Sequence, residues 1–346
     1  MAFALILLVL LGLSGLYNVR NLASGLLHGK SPRARSVGPR LEEVMTEDND
    51  AADKIAVVEI EGIITSRLME QGGYNMVDII KAQLKRAEDD HKVKAVILKV
   101  DSPGGEVLAS DEIYRAIDDF QEHARKPVVG SMGNLAASGG YYVSAPCQWI
   151  VANDLTITGS IGVILHSWNY RGLMNKVGLR PETYKSGKFK DMLSGERNPE
   201  EVPVEEHEMV QTLIDETYGK FKSVVAKGRQ EAHQKNKENK DKKDQGRALS
   251  PDWADYADGR VLSGTRAFEL GFVDQLGNFE DAVKRAKRIA AISDANLVEY
   301  QQRYDISDLF RLFGQTKAGV LKVDLGMETP KLQAGQLYFL SPTFTH

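Results

Sequence analysis

The amino-acid sequence predicts an α/β fold, preceded by an apolar segment that anchors the chain in a membrane. From residue 54 onward, strand-like apolar runs alternate with helix-like runs, which is the order of an α/β core. Glycine-rich turns follow several of these strands, and open α/β sheets place their binding sites at such turns. The first residues differ from this pattern, since residues 2–17 carry no charge.

The uncharged segment at the start of the chain has the composition of a membrane span. A full span needs about 20 apolar residues. The segment also lacks the basic region that begins a cleavable signal peptide. We therefore interpret residues 1–20 as a non-cleaved transmembrane anchor in contact with lipid. Several basic residues follow the uncharged run of residues 2–17, and taken alone they place the next domain in the cytoplasm. They are Arg20, Lys30, Arg33, Arg35 and Arg40.

The rest of the chain divides by composition. Residues 21–53 are mostly polar and aperiodic, which predicts a linker, and the globular domain extends over residues 54–293. Apolar and β-branched runs predict strands over 55–65, 95–100, 128–131, 149–152 and 161–165. Apolar residues at spacings of three and four predict helices over 76–90, 113–120, 204–229 and 282–292.

Two further segments have no such pattern. Residues 230–250 are rich in lysine, asparagine and acidic residues, and they are nearly free of apolar side chains. A segment of this kind cannot offset its ordering entropy by burial, which predicts a charged, solvated insertion loop. Residues 294–346 form a C-terminal extension whose sequence carries no motif of recognisable role.

Composition excludes several classes of function. The formal net charge of −4 and the pI near 6.0 provide no basic field, so we expect no nucleic-acid partner. Cys147 is the only cysteine, which excludes an internal disulfide and a thiolate zinc site. We expect neither a metal nor another cofactor.

Three glycine-rich turns follow predicted strands. Small residues around Ser138 leave its hydroxyl accessible to a peptide carbonyl, and the glycines allow backbone N–H groups to approach the same point. An oxyanion intermediate needs two such donors, so Ser138 is a candidate nucleophile. The three turns read Asp101-Ser102-Pro103-Gly104-Gly105, Ala137-Ser138-Gly139-Gly140 and Thr158-Gly159-Ser160-Ile161-Gly162.

A serine nucleophile needs a base, and two kinds of residue are candidates. His166 lies in the predicted sheet beyond the serine, as in a Ser/His enzyme. The other candidates are Lys185, Lys188 and Lys190. A lysine acts as a base only when burial lowers its pKa from about 10.4 towards about 7 to 8. The sequence around these three lysines does not show whether any of them is a buried base or a solvated surface charge.

Taken together, the motifs resemble one family closely. DSPGG, AASGGYY, TGSIGV, SGxxKD and the later GRVLSGTRAFELGFVDQLG resemble the signal peptide peptidase A family of serine peptidases, of the SppA and SohB type, over residues 55–290. The resemblance implies a ClpP/crotonase-like fold of stacked ββα units. It also implies a homo-oligomer, and a serine endopeptidase whose substrates are signal-peptide remnants and other short apolar peptides.

The resemblance also implies roles for particular residues. Ser138 matches the nucleophile, and Lys190, immediately before Asp191, matches the general base of a Ser/Lys dyad. Ser160 matches a serine that orients the lysine, although a turn-forming role fits it equally well. The oxyanion donors fall on the backbone N–H groups of Gly104 or Gly105 and of Gly139.

The family usually holds its catalytic domain outside the cytoplasm, which is opposite to the orientation that the flanking charges favour. The resemblance therefore implies a single-pass protein of the cell (inner) membrane with an extracytoplasmic catalytic domain. Two other classes of function share some of these features. A crotonase-type acyl-CoA enzyme has the same architecture, and a catalytically silent membrane scaffold has the same anchor. The presence of both Ser138 and Lys190 favours an active peptidase.

Overall fold

The computed structural model describes residues 38–68, 73–239, 241–302 and 337–340. The strands are β1 (Leu41–Glu47), β2 (Lys54–Ile64), β3 (Val93–Glu106), β4 (Val128–Ala137), β5 (Trp149–Ala152), β6 (Ile157–Gly159), β7 (Ile164–Leu165), β8 (Val261–Ser263), β9 (Gln275–Leu276), β10 (Asn296–Gln302) and β11 (Leu337–Leu340). The helices are α1 (Met76–Asp89), α2 (Val107–Ala124), α3 (Gly139–Ser144), α4 (Arg171–Lys176), α5 (Val204–Lys237), α6 (Gly264–Glu269) and α7 (Phe279–Ile289). Short 3-10 turns occupy Pro199–Glu201, Lys242–Asp244 and Trp253–Tyr256.

The strands form one mixed sheet whose main order is β1-β10-β2-β3-β4-β5-β9. From β10 to β9 every neighbouring pair on this path is parallel, whereas β1 is antiparallel to β10 at the edge. Parallel neighbours need crossover connections, and α1, α2 and α3 provide them between β2, β3, β4 and β5. The predicted α/β class is therefore confirmed, and β3 and β4 end at the same edge of the sheet.

Four short strands, β6, β7, β8 and β11, extend the sheet at this edge. β6 is parallel to the end of β4, and β8 is antiparallel to β6. β11 lies between β3 and β7 and is antiparallel to both. The surroundings of the β3 and β4 ends are thus built from segments far apart in the sequence.

The core elements form where the sequence supplies apolar residues with the right period. β2 and β3 carry nearly continuous buried runs, which is typical of strands covered on both faces. Helix α1 buries Val77, Ile80 and Leu84 at helical spacing, and Asn75 caps its start by accepting the N–H of Asp78 at 2.9 Å. Burial of each large apolar side chain stabilises the fold by about 1.5–3 kcal/mol.

A buried ion pair fixes the long helix α5 against the sheet. The side chains of Arg229 and Asp274 are fully buried and bonded to each other. Arg229 also donates to the Cys147 carbonyl at 2.9 Å, and Asp274 accepts the Ile150 N–H at 2.9 Å. Removing one member of a buried pair costs about 3–5 kcal/mol, so the position of α5 on β5 is strongly specified.

The sheet includes segments outside the predicted domain. Residues 41–47, in the predicted linker, form β1, and the predicted C-terminal extension supplies β10 and β11. β1 is an edge strand whose side chains are mostly exposed, so its sequence lacks the apolar run of a central strand. The sheet therefore includes strands on both sides of the predicted domain, residues 54–293.

Residues 230–250 also differ from the predicted solvated loop. Helix α5 continues to Lys237, with Asn236 donating to the Gln148 carbonyl at 2.8 Å. Further on, Asp244 pairs with Arg285 at 2.5 Å. The first part of this segment is therefore helical, and the part after Lys237 is a loop with one 3-10 turn, in which several polar side chains are bonded to the domain.

The predicted transmembrane anchor, residues 1–20, lies outside the described residues. Among the helices of the described ranges, none combines the length and the apolar character needed to cross a bilayer.

Candidate active site

Ser138 lies at a strained turn between β4 and α3. Its backbone has φ 55° and ψ −116°, a conformation that non-glycine residues rarely adopt. The Ser138 N–H donates to the Gly159 carbonyl at 2.8 Å, and the Ser138 carbonyl accepts the N–H of Tyr142 at 2.9 Å, which begins α3. A serine on a sharp strand-to-helix turn has the geometry of a nucleophile elbow.

The Ser138 side chain is buried without a partner. The residue is 1% exposed, and its hydroxyl has no hydrogen bond within the described part of the chain. Leaving a buried hydroxyl unpaired costs about 1–3 kcal/mol. Native proteins tolerate few such groups, and those they tolerate need an explanation.

Glycines bring two backbone segments into contact beside Ser138. A Cβ on Gly104 would lie 2.6 Å from the Gly139 nitrogen, and a Cβ on Gly105 would lie 1.9 Å from the Ile64 oxygen. Gly104 has φ 103°, and its N–H donates to the Ser102 hydroxyl at 3.1 Å. Gly139 is the first residue of α3, and the helix does not use its N–H.

Ser160 lies beside Ser138 because two parallel strands end in register. Ala137 of β4 pairs with Gly159 of β6, and each strand is followed by one of the two serines. Ser160 is 3% exposed, has φ 50°, and donates its N–H to the Arg260 carbonyl at 2.7 Å. The sheet therefore brings together five of the six residues predicted for the site, which are Ser138, Gly104, Gly105, Gly139 and Ser160.

Lys190, the sixth, lies in an exposed segment after α4. Its backbone N–H donates to the Gly187 carbonyl at 3.4 Å, and its side chain is not bonded to the Ser138 hydroxyl, which has no partner in the described ranges. His166, the alternative base, is also exposed just beyond β7 and is likewise not bonded to Ser138.

Ion pairs hold the segment around Lys190. The Lys185 ammonium lies 2.6 Å from Asp191 and holds the pKa of that carboxyl below its usual value. Glu206, at the start of α5, is buried; it accepts the Leu193 N–H at 2.9 Å and pairs with Arg197 at 2.6 Å. The backbone on either side of Lys190 is therefore held by ion pairs and by α5, while the Lys190 side chain is exposed.

Glu106, directly after Gly105, ties the end of β3 to the end of β2. Its carboxylate accepts the Thr65 hydroxyl at 2.9 Å and the Ser66 hydroxyl at 2.6 Å, and Arg67 lies 3.7 Å away. Burial disfavours the charged form of Glu106, but the hydrogen bonds from Ser66 and Thr65 outweigh it and hold the pKa of this carboxyl below its usual value. Residues 101–105, predicted as a glycine turn after the strand, instead form the last part of β3, and Glu106 fixes them from the side of β2.

The sequence pattern missed one part of the site, strand β11. Tyr338, Phe339 and Leu340 pair with Glu106, Gly105 and Gly104, so a segment of the chain itself lies along the glycine turn. The signal was a short apolar run, LYFL, in a polar stretch. Its pairing partner is more than two hundred residues away, and no local pattern identifies such a partner.

Comparison with known proteins places this geometry in a family. The model of Peptidase family S49 matches residues 121–245 and 240–293. A relative from Enterococcus faecium, named as a signal peptide peptidase SppA, is 37% identical over 265 residues, covering 75% of this chain and 71% of the relative. A relative from Synechocystis sp., named as a protease, is 39% identical over 276 residues, with 79% and 88% covered. Protease 4 of Haemophilus influenzae is 34% identical over 302 residues, covering 83% of this chain and 45% of that protein.

Proposed function

Because the chain belongs to peptidase family S49 and is a serine peptidase, we propose that it is an endopeptidase in which Ser138 is the nucleophile and Lys190 the general base. The observation that carries this proposal is the Ser138 hydroxyl, which is buried, unpartnered and held on a strained turn. A substrate carbonyl and a base would supply the partners that this hydroxyl lacks.

The proposed reaction divides peptide hydrolysis into two transfers. Ser138 Oγ attacks the peptide carbonyl carbon while its proton passes to the Lys190 amine, and the tetrahedral oxyanion accepts hydrogen bonds from two backbone N–H groups. Gly139 supplies one of them, and Gly104 or Gly105 supplies the other. Collapse of the intermediate expels the amine, which takes the proton from Lys190, and water then hydrolyses the ester. Each oxyanion donor contributes about 10²–10³ in rate.

The exposure of Lys190 supports the proposal of a homo-oligomer. A lysine must lose its proton to act as a base, and burial against another surface favours the neutral amine. The segment that carries Lys190 also exposes several large apolar side chains, which a second copy would cover; they are Trp168, Leu173, Val177 and Leu179. In such an assembly Ser160, beside Ser138, would hydrogen-bond the lysine and orient it.

The location and the substrates are part of the same proposal. Residues 1–20 would anchor the chain in the cell (inner) membrane as a single span in contact with lipid, with the catalytic domain on the extracytoplasmic side. Peptides released at that membrane, such as signal-peptide remnants, would be the substrates. Support comes from the apolar composition of residues 2–17 and from the name of the Enterococcus faecium relative.

A fluorophosphonate probe tests the nucleophile. We expect one covalent adduct per active chain, located at Ser138 by peptide mass spectrometry, and loss of peptide hydrolysis in proportion to labelling. A Ser131→Ala variant, changed on the same strand, should label normally. An adduct at another serine, or hydrolysis that survives complete labelling of Ser138, would refute the assignment.

A further inference from the structure

The space between the ends of β3 and β7, which we call the peptide groove, is occupied by strand β11 of the chain itself. This strand lies antiparallel between β3 and β7, with Leu337 opposite Leu165 and Phe339 opposite Gly105. An extended peptide that adds a strand to a sheet gains affinity from main-chain hydrogen bonds, and pockets for its side chains supply selectivity. β11 therefore shows how a bound peptide would run through the groove.

The register of β11 identifies the residue closest to the glycine turn. The Phe339 carbonyl oxygen lies 2.0 Å, and the Gly139 nitrogen 2.6 Å, from the point that a Cβ on Gly104 would occupy. The two atoms thus share the space above Gly104, directly beside Ser138. A peptide bound in the same register would have its reacting carbonyl at the residue that corresponds to Phe339.

The Phe339 side chain fills an aromatic pocket. It is fully buried, and its ring centroid lies 4.9 Å from that of Tyr142, with the planes 25° apart, and 4.6 Å from that of Phe221. Tyr142 and Phe221 are themselves in contact at 4.9 Å, so three rings form one cluster. Stacked and tilted ring contacts favour aromatic side chains over aliphatic ones of similar area.

The two walls of this pocket are held in place without Phe339. The Tyr142 hydroxyl donates to Asp111 at 2.7 Å. Phe221 belongs to α5, which the buried pair of Arg229 and Asp274 fixes against the sheet. The pocket is therefore built into the domain, and another peptide can use it when the segment of residues 337–340 leaves.

We propose that Tyr142 and Phe221 form the specificity pocket of the peptide groove and select a large aromatic side chain at the residue whose carbonyl reacts. Phe339 of the chain's own β11 occupies this pocket in competition with substrate. The inference rests on the proposed function for the chemistry at Ser138. It adds the class of side chain that the enzyme recognises and the two residues that recognise it.

The experiment compares two fluorogenic peptides on the full chain carrying Phe339→Ala, which leaves the pocket free. One peptide contains LYFLS and the other LYALS. An apolar pocket discriminates by about 10–200-fold against the loss of a single methylene, and the alanine peptide lacks a whole ring, so we expect kcat/KM to be at least about 10–100-fold higher for the phenylalanine peptide. Without Phe339→Ala, the same peptide should show a higher KM at unchanged kcat. Equal kcat/KM for the two peptides, or an unchanged KM, would overturn the proposal.

A substitution in the pocket tests whether Phe221 selects the aromatic side chain. Phe221→Leu keeps an apolar side chain but removes the ring, and we expect the ratio between the two peptides to fall to about threefold or less. Leu213→Ala, on the same helix and 46% exposed, serves as the control and should keep the full ratio. A ratio that stays unchanged in Phe221→Leu contradicts the assignment of Phe221. The comparison of the two peptides needs only the intact pocket, so it stands even if Phe221→Leu does not fold.

Binding separates this inference from the proposed chemistry. A chain carrying both Ser138→Ala and Phe339→Ala should bind the labelled LYFLS peptide more tightly than LYALS in fluorescence anisotropy. If the aromatic preference appears in binding and no variant hydrolyses either peptide, the proposed function fails and the pocket stands. If both peptides are hydrolysed at Ser138 with equal efficiency and bind equally, the chemistry stands and the pocket fails.

Discussion

Ser138 is 1% exposed within a shell of glycine backbone, whereas Lys190 is exposed in a segment that ion pairs hold to α5. The first region is formed by the ends of parallel strands, in which register determines position. The second is mainly loop and short helix, and it contributes no strand to the sheet between α4 and α5. The proposed nucleophile is therefore positioned by the fold of a single chain. The proposed base needs a further surface to exclude water from its amine.

The two regions also differ in how a substitution acts. Around Ser138, an added Cβ would collide with backbone at Gly104 or Gly105, and backbone cannot move aside easily. Around Lys190, contacts such as that of Lys188 with Glu205 are exposed, and exposed pairs contribute about 0–1 kcal/mol each. Changes near Ser138 should therefore affect both fold and activity, and changes near Lys190 should affect activity far more than stability.

The largest expected effect is that of Ser138→Ala. This change removes only a hydroxyl that has no hydrogen-bond partner among the described residues, so the chain should fold as before, while peptide hydrolysis falls by about 10⁴–10⁶-fold. Hydrolysis by the purified variant and its thermal unfolding are measured together. Ser131→Ala on the same strand is the control. Appreciable hydrolysis by folded Ser138→Ala would show that Ser138 is not the nucleophile. The contrast between a buried nucleophile and an exposed base would then be wrong.

The next effect concerns Lys190. Lys190→Ala should lower kcat by about 10²–10⁴-fold, the usual contribution of a general base. Lys190→Arg should not restore activity, because a guanidinium keeps its proton at any working pH. Steady-state hydrolysis of one peptide by the purified variants measures both effects.

Matched controls sharpen the test of Lys190. Lys188→Ala, two residues earlier and exposed, should keep nearly full activity, and so should His166→Ala. An active Lys190→Ala beside an inactive His166→Ala would make this a Ser/His enzyme. Activity that rises with protein concentration in the unchanged chain would further support burial of Lys190 by a second copy.

Sequence patterns predicted the parts of the fold that depend on local composition. Helix α1 and strand β5 match their predicted ranges closely. The patterns failed for β1 and β11, because an edge strand and a short isolated strand depend on distant partners. The exposure of Lys190 could not be predicted either, since no local sequence encodes which surface covers a side chain.

Two neighbouring glutamates test how the segment of Lys190 is held. Glu206 is 3% exposed and binds the Leu193 N–H and Arg197, whereas Glu205 pairs only with exposed Lys188. We expect Glu206→Ala to lower the free energy of unfolding by about 1–3 kcal/mol, because it leaves buried donors unpaired. Glu205→Ala should change it by less than about 1 kcal/mol. Urea denaturation gives both values, and equal losses would show that the segment does not depend on the buried carboxylate.

The smallest expected effect is a pH dependence on the Ser138 side of the comparison. Glu106 has its pKa held below the usual value by hydrogen bonds from Ser66 and Thr65, which outweigh the opposing effect of burial. A carboxyl whose pKa is lower in the folded state stabilises the protein above its unfolded pKa of about 4.3. That stability is lost as pH falls through the folded value.

The free energy of unfolding, measured in urea between pH 7 and pH 3, should therefore decrease less steeply on acidification in Glu106→Gln than in the unchanged chain. Glu112→Gln, on α2 with a side chain 40% exposed, should keep the original slope. The glutamine oxygen can still accept from Ser66, and its amide N–H can donate to the Thr65 hydroxyl, so a folded structure is expected and the pH slope isolates the charge. An identical slope in Glu106→Gln would mean that the turn before Ser138 is held by backbone packing alone, without the carboxylate that joins β3 to β2.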